Sequence, residues 1–231
     1  MSFVGTASSQ PVPFAVVRAA AADADMPAEL ETAGTVCNFA PAETIFGEGD
    51  PIDASYRVLS GVVRLCRLTA DGRRQIAGFR LPGDLIGIEW TGAYDMTAEA
   101  VRNVTCVRYS RSRLDRLSHE KAEVRDHLLS HLCRDLRSAQ EHLMTLGCQS
   151  AIERVASFLL QTARRASASD GSVIDMQLGR QDIADYLGLT LETVSRTFTE
   201  LAGRGLIATP KRRHVVIRNG ARLKAASLPL H

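Results

Sequence analysis

The chain has 231 residues, 45% of them hydrophobic and 23% charged, with a formal net charge of +2. That balance excludes a disordered or collagen-like chain, and no apolar run reaches the ~18–20 residues of a membrane-spanning helix. The near-neutral total conceals a split. Residues 151–231 carry 12 Lys+Arg against 7 Asp+Glu, and the remainder 16 against 19, so a basic part suited to a polyanion follows a mildly acidic one.

Residues 1–33 are rich in Ala, Ser and Pro without a persistent period, and are expected to form a mobile arm with one short helix near 27–33. The arm lacks the basic-then-apolar pattern of a secretory signal, so a cytoplasmic location is expected. From 34 to 110 the texture is that of strands. Short apolar or alternating runs are punctuated by Gly47–Pro51, Ser60-Gly61, Asp71-Gly72 and Pro82–Asp84. The run Val62–Leu68, then Asp71-Gly72, then Gln75–Phe79 predicts a hairpin. Several such strands with glycine at the corners imply an antiparallel jelly-roll, either enclosing a small ligand or filled by its own side chains.

Residues 111–147 turn helical. Leu129, Leu132, Leu136, Ala139, Leu143 and Leu146 are spaced 3, 4, 3, 4, 3, the a/d seam of a parallel coiled coil, which predicts a homodimer through this helix. Leu128 and Cys133 broaden the stripe in its first turns. His127 and His131 sit four apart on one helical face, but with no third ligand they read as an exposed face rather than a metal pair. Gly147 is the expected C-cap and hinge.

Residues 148–231 form the last expected unit. A helix starts at Ala151 and ends near Arg165, a polar loop 166–171 follows, then a short strand 173–178. Residues 180–204 read as two short helices around a tight turn. Ile183, Ala184 and Leu187 face inward on the first helix, Gly188 supplies a left-handed turn residue, Leu189 plugs the corner and Thr190 stands as N-cap. Val194, Phe198 and Leu201 make the inner stripe of the second helix. Two short strands around the basic turn 209–213 describe a wing, and Asn219 caps a final helix from Gly220. This is the layout of a winged helix-turn-helix whose second helix enters a major groove.

On that helix Glu192 can accept from a cytosine amino group, and Arg196, one turn later, can donate twice to guanine. Ser195 and Leu191 are neighbouring base contacts, the leucine through a thymine methyl. Arg180, Gln181, Thr190 and Thr193 are assigned to phosphates, as are Lys211, Arg212 and Arg213 from the wing. Paired by a two-fold axis, such helices read a palindrome with half-sites ~34 Å apart. The five cysteines are scattered without a Cys-x-x-Cys pair, and are expected to be reduced and partly buried. Glu89 and Asp95 lack any accompanying nucleophile or cofactor motif, so no enzyme activity is expected.

The order of arm, roll, long helix and winged helix resembles the Crp/Fnr family of bacterial transcription regulators over about 36–226. The resemblance rests on Leu81-Pro82-Gly83-Asp84-Leu85-Ile86-Gly87, the leucine seam and the run 182–196. The pattern Glu-x-x-Ser-Arg is similar to the Fnr and FixK side, where it reads a TTGA-type half-site. By that resemblance the reading roles fall on Glu192, Ser195 and Arg196. Two departures mark the subgroup. Nothing before Cys37 is cysteine, with Cys106 alone near the family's roll cysteine, so the four thiolates of an iron–sulfur cluster cannot be assembled. Ile88 follows Gly87, and the positions of the cyclic-nucleotide Arg-Ser pair fall around Met96-Thr97, so no cation awaits a cyclic phosphate. The resemblance therefore implies a FixK-like activator without cofactor, metal or small effector, controlling microaerobic respiration or nitrogen-fixation genes, with double-stranded DNA, itself and RNA polymerase as partners. The alternative is a ligand- or redox-gated regulator whose roll binds an effector.

Overall fold

The strand pattern of the first half folds into two facing antiparallel sheets. The computed structural model describes residues 26–89, 92–165, 173–211 and 213–228. The arm up to residue 25, the polar loop 166–171 and Arg212 of the wing lie outside them. A short helix α1 (Ala28–Ala33) precedes eight strands: β1 (Thr35–Phe39), β2 (Thr44–Phe46), β3 (Ala54–Ser60), β4 (Val63–Leu68), β5 (Arg74–Arg80), β6 (Leu85–Ile86), β7 (Thr97–Ala100) and β8 (Val104–Ser110). One sheet runs β1-β8-β3-β6 and the other β2-β7-β4-β5, the arrangement of a β-roll. The expected hairpin is β4–β5, with Gly72 at φ +78, where a side chain would be strained.

The roll is filled by its own side chains. Phe46 stacks on Tyr94 at 3.9 Å between ring centroids, Tyr56 lies against Phe46, and the Tyr94 hydroxyl donates to the Ala54 carbonyl at 2.6 Å. Beside Gly87 a Cβ would meet Tyr94 at 3.0 Å and the Ala54 carbonyl at 3.2 Å, so this corner of the roll is already occupied. Burial pushes the thiols of Cys66 and Cys106 up to about 11 and about 12, leaving both protonated at neutral pH.

The single helix expected over 111–147 is two: α2 (Arg111–Glu120) and α3 (Ala122–Cys148). Lys121 between them is extended, still bonds its N–H to the Leu117 carbonyl, and pairs its ammonium with Glu29 at 3.1 Å. The break lets Leu114 and Leu117 of α2 and Val124 and Leu128 of α3 reach one cluster against the roll. No glycine or proline announces it. Gly147 is not the hinge: α3 passes through it, and the chain turns at Gln149, which is extended at φ −108, ψ 142. The reason is Arg154 of α4 (Ala151–Arg165). Its guanidinium donates to the carbonyls of Leu146, Gln149 and Leu187, satisfying acceptors that a helix end leaves open. His127 and His131 are buried rather than exposed, their rings edge-to-face at 4.7 Å, because the first turns of α3 pack on the roll; Cys133 is exposed instead.

The C-terminal part contains β9 (Val173–Asp175), α5 (Arg180–Leu187), α6 (Leu191–Gly203), β10 (Ile207–Lys211), β11 (His214–Ile217) and α7 (Gly220–Ala226). The strand expected at 173–178 is shorter, since Gln177 takes a positive φ of 49 and turns the chain. It joins the wing as a third strand, in the order β10-β11-β9. Asn219 caps α7 as expected, accepting from the Arg222 N–H at 2.9 Å. One apolar cluster runs from Val62, Cys66 and Ile76 of the roll into Val155, Leu159, Ile183 and Leu201, so roll and winged helix share a core.

Candidate nucleic-acid interface

The turn between α5 and α6 forms as its residue types dictate. Gly188 ends α5 in the left-handed region at φ 61, ψ 38, and the Leu189 N–H returns to the Ala184 carbonyl. Thr190 then caps α6, its hydroxyl accepting from the Thr193 N–H at 3.1 Å. Val194, Phe198 and Leu201 are buried, and Leu189 packs on the same cluster. With that stripe turned inward, the 3.6-residue period leaves Glu192, Ser195, Arg196 and Thr199 together on the exposed face, with Leu191 at its head. The structure thus brings the four expected base-reading residues onto one surface. Thr199 extends that surface by one turn, and its i+3 spacing after Arg196 is the sequence signal that marks it.

The expected phosphate contacts are placed less uniformly. Gln181 is exposed on the first turn of α5, with its amide on Asp185 at 2.6 Å. Thr193 shares a 2.9 Å hydroxyl contact with Thr190, so both belong to the cap as well as to the rim. Lys211 and Arg213 are exposed on the wing, and Arg212 lies outside the described residues. Arg180 is half-buried, its guanidinium 3.3 Å above the Phe198 ring; burial pushes its pKa down to about 10, and it stays charged at neutral pH.

The roll contributes residues that no local motif marks. Arg64 of β4 bonds Glu99 at 2.7 Å and Asp182 at 3.0 Å. Arg74 of β5 bonds Asp182 at 2.9 Å and Asp185 at 2.7 Å, and the Gln75 amide donates to the Asp185 carbonyl. Asp182 also accepts from the Gly179 N–H, capping α5 from its third position. Tyr186 completes the contact, stacked flat on His142 of α3 at 3.9 Å and tilted against Phe79 of β5.

Roll, long helix and capped reading helix together define a class of two-part DNA-binding regulator, and comparison with known proteins places the chain within it. Residues 36–121 match the model of the cyclic nucleotide-binding domain and 153–226 that of the Crp-like helix-turn-helix domain. The chain is 44% identical over 209 residues to the nitrogen fixation regulation protein FixK of Azorhizobium caulinodans, covering 89% of this chain and 84% of that one. To the protein of the same name from Bradyrhizobium diazoefficiens it is 42% identical, covering 78% and 77%. Among solved structures, FixK2 from Bradyrhizobium japonicum superposes with a TM-score of 0.80 at 36% identity, over 86% of this chain and 99% of that one. The chain belongs to the Crp/Fnr family of transcription regulators and is a FixK homologue that binds DNA. No helix among the described residues is long and apolar enough to cross a membrane.

Proposed function

We propose that the protein is a homodimeric, non-enzymatic activator that reads a TTGA-type palindrome in the cytoplasm and acts with RNA polymerase. The observation that carries this reading is the single exposed face of α6 that presents Glu192, Ser195 and Arg196 behind the Thr190 cap. Glu192 and Arg196 lie one helical turn apart, the spacing at which two successive base edges can be read along a major groove. Leu129, Leu132, Leu136, Ala139, Leu143 and Leu146 of α3 form the dimer seam. Arg180, Gln181, Thr190, Thr193, Lys211, Arg212 and Arg213 hold phosphates, contributing affinity without sequence information. The target genes are those of microaerobic respiration or nitrogen fixation, in keeping with the FixK relatives. No small effector is needed, a reading supported by the side chains that fill the roll beside Gly87.

The alternative is a ligand- or redox-gated regulator whose roll binds an effector, and the candidate cavity is elsewhere. A cavity of about 470 Å³ lies outside the roll, between β5, α3 and α4, lined by Phe79, Arg80, Asp135, His142 and Arg165 among others. Gel-shift on a TTGA–N6–TCAA duplex separates the two. Tight binding by the purified protein alone supports the effector-free reading; binding only after a nucleotide, haem or cluster is added overturns it. Arg196→Ala is expected to cost ~1–3 kcal/mol and to relax the preference at its base, and unchanged specific binding removes the base-reading assignment.

A further inference from the structure

The helix that precedes the reading helix is held from outside its own domain. Asp182 and Asp185 face the roll, where Arg64 and Arg74 engage them through four hydrogen bonds of 2.7–3.0 Å, and the side chains of Arg64, Asp182 and Asp185 are only 12–13% exposed. Gln75 adds a bond to the backbone of α5 at Asp185, so the hairpin grips main chain as well as side chain. The bonds are directional and charge-assisted on both partners, which fixes an orientation better than apolar contact alone. All of this lies on the side of α5 that leaves Gln181, Gly188 and Thr190 exposed, and no part of it covers Glu192, Ser195 or Arg196.

We propose that Arg64 and Arg74 are positioning residues for DNA recognition: without touching DNA, they fix the angle at which the roll presents the helix-turn-helix. The inference rests on the reading of the protein as a dimer on a palindrome. In such a dimer the two reading helices must meet half-sites at one separation, and the roll–α5 bonds set that separation for each protomer. They also neutralise two carboxylates on the helix whose first turn approaches the phosphates.

The test measures binding of full-length protein to TTGA–N6–TCAA and to duplexes with the spacer shortened or lengthened by one base pair. Wild type is expected to prefer one spacing sharply. Asp185→Asn and Arg74→Ala are each expected to weaken binding at that spacing about tenfold, the scale of one lost charge-assisted interaction, and to flatten the spacing preference. The sign for Asp185→Asn is diagnostic, because removing a negative charge near DNA would by simple electrostatics tighten binding. Tighter binding, or weaker binding with an unchanged spacing profile while wild type remains selective, overturns the positioning role alone. So does a salt dependence that falls by one phosphate contact in Arg74→Ala, which would place Arg74 on the DNA. A wild-type protein indifferent to spacing overturns the palindrome reading, and this inference with it.

Discussion

Two apolar stripes of this chain have the same helical period and opposite fates. On α6, Val194, Phe198 and Leu201 are 0%, 3% and 0% exposed. On α3, Leu129, Leu132, Leu136 and Leu143 stand 57%, 46%, 61% and 67% exposed within one chain. Each such leucine gains about 1.5–3 kcal/mol on burial, so a row of four left in water marks a surface meant for a partner. The first stripe is completed by the protomer's own fold. The second is left uncovered by the protomer, and its strict a/d spacing fits the second copy proposed above. Periodicity reports that a stripe exists; only the packed chain shows whether it is already covered.

That contrast can be broken at either end. Phe198→Ala removes the ring that fills the α5–α6 core and carries Arg180, and should destabilise the protein by ~3–5 kcal/mol in urea denaturation. Leu136→Glu with Leu143→Glu should leave each protomer folded, since neither side chain is buried in it, while sedimentation shows a monomer. A dimer that survives the double change would remove the seam assignment. The smallest effect concerns a residue of the same helix beside the seam, one turn from Ala139 and Leu146. Stacked on Tyr186, His142 has its pKa lowered mainly by burial, so the fold holds it neutral. As pH falls through the ordinary histidine value of about 6.5, the unfolded chain takes up this proton first, and stability present above that pH is lost. His142→Gln should flatten the decline in denaturation midpoint between neutral pH and the acid side of that range; identical slopes would show that the stack carries no pH dependence.

Much of the fold was legible because its signals are local. Alternation and the Asp71-Gly72 turn marked β4–β5, Gly188 and Thr190 marked the turn and cap, and a 3.6-residue period separated Val194 and Phe198 from Glu192 and Arg196. The misplacements fall where a distant partner overrides local preference. Lys121 breaks a helix so that both halves can pack on the roll. Gly147 stays helical while Arg154 satisfies the carbonyls of Leu146 and Gln149 on either side of it, and His127 and His131 are drawn inside where the start of α3 packs on the roll.

By itself, then, the sequence determined that a capped reading helix follows a roll and a leucine seam, since caps, turns and stripes are written within a few residues of where they act. What tertiary structure alone decided is how those parts are held together. Arg64 and Arg74 meet Asp182 from 118 and 108 residues away, and Arg154 joins the ends of α3 and α5. Ion pairs and carbonyl contacts of this kind have no period and no spacing, so they become visible only when folding brings their partners within bonding distance.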